Sequence, residues 1–280
     1  MRASRACALW VAAVLAAAVP AHADAPRRVV SMNLCTDQLA MLVAGEGQLL
    51  SVSALSADPR GSAMADVAAG YTLNHGLAEE IYLMQPDLVI AGTFTRRATV
   101  EMLDRLGIPV IMFEPAYTLE GIAGLLTQMG EALGQQDKSA ALVQDYRAQL
   151  AAYATDTTAN PRAALYSANG YTSGNQTLAG QILTTAGLAN VAAEAGFADG
   201  GFLPLEVLAM AAPDTVITSV PYAGFSRSEE ILDHPVIAAL RAGRPGALMM
   251  DRDWVCGTPF VLRAIDTMAG LRRDLQDVQR

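Results

Sequence analysis

The stretches "LNHGLAEEIYLMQPDLVI", Leu73 to Ile90, and "FLPLEVLAMAAPDTVIT", Phe202 to Thr218, carry the same punctuation. In each, a Glu is followed after six residues by Pro-Asp and, one residue later, by Val-Ile: Glu79 with Pro86 and Asp87, then Glu206 with Pro213 and Asp214, a spacing of 127 residues. Proline has no N–H to give a helix and clashes with the preceding turn, so Pro86 and Pro213 end their helices, and the Asp opens a turn into an apolar strand. That turn chemistry alone could write the Pro-Asp-strand part in any α/β chain. It does not explain the two Glu. Each stands at the start of its helix, where the macrodipole favours a carboxylate. Their common offset predicts a matched pair on one face of the molecule.

Outward from the repeat, short β-rich apolar runs alternate with helical stretches. Strands are expected at Arg28 to Met32, Leu49 to Ser53, Asp87 to Ala91 and Pro109 to Phe113, with helices from Thr36, Leu77 and Arg96. After Asn160 the alternation resumes, with strands at Arg162 to Ser167, Asp214 to Ser219 and Ala247 to Met250, and helices from Thr177, Pro204, Ser228 and Pro259. This βαβ rhythm predicts an α/β fold of two Rossmann-like lobes with central parallel sheets. The segment "LEGIAGLLTQMGEALGQQDKSAALVQDYRAQLAAYAT" between them is written in strong helix formers, interrupted near Gly134. Ala141, Leu142, Tyr146, Leu150 and Tyr153 keep helical spacing, so its second half is expected to be one long amphipathic α-helix joining the lobes as a stiff rod. The boundaries that follow are 24–117 for the first lobe, 118–158 for the connecting helices and 159–280 for the second lobe.

Residues 1–23 stand apart. Arg2 and Arg5 precede an apolar run from Ala6 to Val19 that ends in Ala21-His22-Ala23, the form of a cleavable secretory signal peptide. The run is short of the roughly 20 apolar residues that span a bilayer. Cys7 lies within that run and not just after the cleavage point, which argues against a lipid-anchored cysteine, and a free periplasmic protein starting near Asp24 is expected. Removing Arg2 and Arg5 takes the formal charge from -9 to about -11, with no run of Lys or Arg against it, so nucleic acid and anionic membranes are poor partners. Neither G-x-G-x-x-G nor a Walker A loop follows a strand, no G-x-S-x-G elbow occurs, and "SANGYTSGNQT" lacks a convincing His/Asp pair, so an enzyme is disfavoured. A scaffolding role is disfavoured by aromatics and arginines in the expected cleft loops of both lobes.

Four stretches, "RRVVSMNLCTDQLAML", "LAEEIYLMQPDLVIAG", "LGIPVIMF" and "LPLEVLAMAAPDTVIT", carry a resemblance that covers essentially the whole mature chain. The chain resembles the periplasmic substrate-binding proteins of ABC importers for ferric siderophores, cobalamin and haem, the type whose lobes are joined by a single long helix. The resemblance implies a monomer that carries a small-molecule metal chelate to an inner-membrane ABC permease, with no cofactor of its own. It also implies that a Glu on each lobe docks against arginines of the permease. By spacing to Pro-Asp these are Glu79 and Glu206, with Glu80 as the alternative to Glu79. Among cargoes, a ferric siderophore stands first, then cobalamin, then haem.

In open α/β sheets ligands bind beyond the carboxyl ends of the strands. The cleft loops are then Asn33 to Asp37, Asn74 with His75, and Gly92 to Arg97 in the first lobe, and Ser167 to Thr172, Pro221 to Phe225 and Arg252 to Gly257 in the second. The candidate ligand-binding residues in them are Asn33, Cys35, Asp37, His75, Phe94, Arg97, Tyr171, Tyr222, Arg252, Trp254 and Cys256. Arg96 and Arg97 open a helix, where cations are disfavoured unless an anion is near. Cys35 and Cys256 fall one in each lobe, and three readings stay open: two buried free thiols, a disulfide linking the lobes, or a thiolate contact to metal or ligand. His75 and His234 are the only histidines after residue 23, too few for a multi-His site for a naked metal ion.

Overall fold

The computed structural model describes residues 25–153, 160–221, 224 and 226–278, so the expected signal peptide lies outside the described residues. The first lobe runs β1 (Val29–Ser31), α1 (Leu34–Val43), β2 (Leu49–Ser53), α2 (Ala65–Ala68), β3 (Thr72–Asn74), α3 (Ala78–Leu83), β4 (Leu88–Gly92), α4 (Arg97–Arg105) and β5 (Val110–Phe113). Its strands form one sheet in the order β3-β2-β1-β4-β5, every neighbouring pair parallel. Helices α5 (Leu119–Leu133) and α6 (Gln136–Ala151) follow. The second lobe begins with β6 (Arg162–Leu165), β7 (Tyr171–Thr172), α7 (Leu178–Thr185), β8 (Ala189–Asn190), α8 (Val191–Glu194) and β9 (Gly201–Phe202). It closes with α9 (Leu205–Ala211), β10 (Thr215–Ser219), α10 (Pro235–Arg241), β11 (Leu248–Met249), α11 (Asp251–Trp254) and α12 (Val261–Val278). Here a parallel sheet has the order β11-β10-β6-β8, and β7 with β9 makes a separate antiparallel ribbon. The sequence reading placed seven of these strands. It missed the short β3, β7, β8 and β9, which have too few apolar residues to write a period of two.

The repeat proves to be a clamp built twice. Asp87 accepts from the backbone N–H groups of Arg27 (2.7 Å) and Arg28 (2.9 Å), and Asp214 accepts from that of Arg162 (2.7 Å). Each Pro-Asp therefore ties the start of its strand to the start of the central strand beside it, β4 to β1 and β10 to β6. The same arginines return the contact. Arg28 donates to the carbonyls of Gln85 (2.9 Å) and Met84 (2.6 Å) just past the end of α3, and Arg162 donates to that of Ala211 (2.7 Å) at the end of α9. These are carbonyls a helix end leaves unsatisfied. A proline disfavours right-handed helix geometry at the residue before it, and both lobes solve this alike: Gln85 and Ala212 adopt left-handed φ of 48° and 44°.

The strut is α6, doubled along its length by α5, which turns back at Gly134 in the left-handed conformation (φ 65°). At its first end Lys138 donates to the carbonyl of Ala44 in the first lobe (2.7 Å), and just beyond its last turn Tyr153 donates to Asp266 of α12 in the second (2.5 Å). Sixteen helical residues at about 1.5 Å each span about 24 Å between these ties. Helix α5 buries Leu119, Ile122, Ala123, Leu126, Met129, Gly130 and Leu133, a single stripe of i, i+3 and i+4 spacing. Buried Tyr146 of α6 donates to the Leu119 carbonyl (2.9 Å), which holds the two helices antiparallel. Through this pair one apolar core runs from Val29 and Leu39 in the first lobe to Ile182, Ile217 and Ile265 in the second. Each lobe keeps a smaller core on its outer sheet face, around Ile81 and Val89 in one and Leu208 and Val216 in the other.

Candidate functional site

In the first sheet the crossovers from β1 and β4 leave in opposite directions, and in the second those from β6 and β10 do the same. Backbone diverges at such points, which opens a crevice at the carboxyl ends of the strands. Three adjoining cavities lie there. One of about 380 Å³ belongs to the first lobe and is lined by Met32, Asn33, Asn74, His75, Phe94 and Arg96 among others. A second, about 370 Å³, lies between the lobes, with Leu55, Asp58 and Arg60 on one side and Ser167, Ser219, Glu229, Asp251 and Val255 on the other. The third, about 280 Å³, has Asn33, Cys35, Phe94, Glu114, Val255 and Gly257 in its walls. Shared walls make them one cleft: Leu55 borders the first and second, Phe94 the first and third, Val255 the second and third.

Asn33 sits at the switch point. Its side chain accepts from the Cys35 N–H (3.1 Å) as the N-cap of α1, and it rests on Gly92, where a Cβ would come within 3.0 Å of the Asn33 Cγ. Phe94, 82% exposed on the β4–α4 loop, offers an apolar ring to the cleft mouth. His75 lines the first cavity while Glu80 holds its backbone N–H (2.7 Å) and its Nδ1 (3.2 Å). Glu80 is thereby engaged, and Glu79 is the exposed carboxylate of the pair. Both Glu79 and Glu206 lie in the second position of their helices and are exposed.

Several sequence-predicted ligand residues have other positions. Asp37 is fully buried and accepts from the Ser53 N–H (3.0 Å), the Ser53 hydroxyl (2.5 Å) and the Ser56 hydroxyl (2.7 Å), so it ties α1 to β2 from beneath the cleft. Burial pushes its carboxyl above the usual range, and the serine hydrogen bonds only partly offset this. Arg97 points along the surface of α4 to Glu101 (2.8 Å), an i,i+4 pair with the arginine side chain 91% exposed; its neighbour Arg96 is the one that lines the cleft. Arg252 donates to the Pro59 carbonyl (3.4 Å) across the lobe boundary, and Trp254 packs on the central core. Tyr171 stacks edge-on with Phe202 at 5.7 Å, both exposed on the β7–β9 ribbon. Tyr222 lies outside the described residues. His234 caps α10 by accepting from the Val236 N–H (3.2 Å).

Of the three readings of the cysteines, the structure takes the disulfide: Cys35 and Cys256 are bonded with Cα atoms 5.0 Å apart. A bonded pair supplies no thiolate, so neither is a metal ligand; Cys35 contributes to the cleft as part of a wall. Arg60, which the sequence reading passed over, reaches across beside it. It donates to the carbonyls of Val220 (2.5 Å) and Pro221 (3.0 Å) and pairs with Asp251 (3.2 Å), and its own carbonyl accepts from the Arg252 N–H (3.0 Å). Its only signal in the sequence was "DPRG", a turn just after a strand.

A family model described as "Periplasmic binding protein" matches residues 29–252. The chain belongs to that family. That family and the structural neighbours are solute-binding proteins, not enzymes. A cobalamin-binding protein of Halobacterium salinarum is 29% identical over 201 residues, 70% of this chain and 54% of that protein, so the chain spans about half the length of the curated relatives it matches. Among solved structures, the periplasmic heme-binding protein HutB of Vibrio cholerae superposes with a TM-score of 0.72 at 18% identity, over 87% of this chain and 98% of that one. The vitamin B12 binding protein BtuF of Vibrio cholerae does so with 0.63 at 18% identity, over 90% and 98%. At such identities the superpositions speak for the two-lobed fold. Among the described residues, no cluster of His, Cys, Asp and Glu could hold a bare metal ion, and no helix is long and apolar enough to cross a membrane.

Proposed function

We propose that this chain is the exported solute-binding component of an ABC importer and that its cargo is a corrinoid. The observation that carries the cargo is the charge of the cleft. Its walls include four carboxylates, Asp58, Glu114, Glu229 and Asp251, against two guanidinium groups, Arg60 and Arg96, and Arg60 is engaged with Asp251. A ferric tricatecholate, carrying several negative charges, would meet net repulsion there. A corrin bristling with neutral amides suits Asn33, Asn74, Ser167 and Ser219, with Phe94 against its apolar plane. The cobalamin-binding relative supports the same choice over the siderophore that stood first on sequence. Haem is the second reading, favoured by His75 in the first cavity.

Glu79 and Glu206 are proposed as the feet that meet the permease. Each is followed one turn later by a large exposed apolar side chain, Leu83 (79%) and Met210 (86%), so each foot pairs a charge with a small apolar patch. Rim charges of this kind steer and orient, with modest affinity each. Titration of the purified protein with cyanocobalamin, haem and a ferric tricatecholate, read by calorimetry and by quenching of Trp254, tests the cargo. Micromolar or tighter binding of cyanocobalamin is expected; preference for the tricatecholate would overturn the assignment.

A further inference from the structure

The segment 251–257 belongs by sequence to the second lobe, yet it is stitched to the first at three places. Arg60 grips its beginning, pairing with Asp251 and accepting from the Arg252 N–H, and the adjacent Pro59 carbonyl accepts from the Arg252 side chain. The Cys35–Cys256 disulfide joins its middle to the N-terminal turn of α1. Gly257 lies on Ala116, so close that a Cβ there would come within 2.4 Å of the Ala116 Cβ. Between the stitches stands Val255, 49% exposed and bordering both interlobe cavities. The segment is thus a strap that fixes the partition of the cleft. Of the two bridged residues, Cys256 is 2% exposed whereas Cys35 lines the third cavity and is half-buried. Among the described residues, Cys35 meets the third cavity, a space cargo would fill.

From this geometry we infer that the Cys35–Cys256 bridge is a latch that cargo protects: an empty cleft lets a dithiol reductant open the strap, and an occupied one does not. A thiolate of the dithiol attacks the Cys35 sulfur and Cys256 leaves as a thiolate. The second thiol then attacks the mixed disulfide, releasing Cys35 and leaving the dithiol oxidised; the two electrons pass to the cysteines, which take up the two protons the dithiol loses. In an oxidising compartment the latch rests closed. Once open, the strap keeps the Arg60 clasp, the Arg252 hydrogen bond to the Pro59 carbonyl and the Gly257 contact, and Val255 loses its fixed place. Linkage makes the effect reciprocal: the factor by which cargo disfavours reduction is the factor by which reduction weakens cargo binding.

The inference rests on the cargo reading for the identity of the ligand but not for the strap, and the two are tested apart. Hydrogen exchange over 251–257 is compared in the oxidised protein, the dithiothreitol-treated protein and the C35S/C256S variant, all without cargo. At least tenfold faster exchange at the Val255 amide is expected on opening, with the Arg252 amide still held by the Arg60 carbonyl as the internal reference, and unchanged exchange at Val255 would overturn the strap. The rate of bridge reduction by dithiothreitol, followed by alkylation and mass measurement, is then taken with and without saturating cyanocobalamin, or whichever of the three probes binds. A tenfold slowing is expected, and, separately, weaker cargo binding by the variant. Equal rates overturn the protection; absence of binding by all three probes sinks the cargo reading and leaves the exchange result to decide the strap.

Discussion

Gly130→Ala sets two effects of opposite sign against each other in the strut. Helix propensity alone predicts a gain of about 1 kcal/mol, since Gly130 lies within α5 and alanine is the better helix former. Packing predicts a loss. A Cβ at 130 would come within 2.0 Å of the Ser139 Oγ and 2.5 Å of its Cβ on α6, and within 3.3 Å of the Gln135 carbonyl. Rotation of Ser139 moves the hydroxyl but not the Cβ, so the helices must part by about 1 Å, and overpacking of that kind costs about 3 kcal/mol. The net is a loss of about 2 kcal/mol, which lowers the melting temperature by about 4–8 °C in a chain of this size. Calorimetry of the purified variant reads it. Adding Ser139→Gly removes both clashing atoms and should restore the melting temperature most of the way, a coupling of about 3 kcal/mol in a double-mutant cycle. A melting temperature that rises in Gly130→Ala, or no rescue, would refute the close helix contact.

Four further outcomes are expected. Replacing Glu79 and Glu206 together with alanine should leave cargo affinity unchanged and abolish uptake in cells, whereas persisting uptake would remove the docking role. Phe94→Ala should weaken cargo binding about tenfold, or about 1.4 kcal/mol, without moving the melting temperature, because the ring is 82% exposed. Arg28→Ala and Arg162→Ala should each lose about 1 kcal/mol to urea, and nearly additively, since each caps a different helix end; strong coupling would contradict two separate clamps. The raised Asp37 carboxyl means the folded chain holds that proton more tightly than the unfolded one, so its contribution is full below about 3.8 and is lost as pH climbs through the raised value. Asp37→Asn cannot ionise, and its stability relative to the parent should rise as pH climbs above about 3.8, read by urea denaturation; a flat or falling difference would contradict the raised carboxyl.

Much of the molecule could be read along the chain because the signals are local. Pro86 and Pro213, the apolar runs after Asp87 and Asp214 and the helix formers from Leu119 each act within a turn or two of themselves, so element order, two lobes and a helical strut follow from residue types. The pairing of Glu79 with Glu206 was legible for the same reason, as a repeat in one dimension. The site was legible only as a set of loops. Whether Asp37 faces the cleft or the core, whether Arg96 or Arg97 turns inward, and where Arg60 reaches depend on one helix turn of rotation or on a partner far along the chain. Cys35 and Cys256 stand 221 residues apart, and nothing between them encodes a distance of 5.0 Å. The chain alone determined its secondary structure and its duplication, through backbone sterics and periodicity. Only tertiary packing decided the strap and the charge of the cleft, because both are sums over groups that meet across the boundary between lobes.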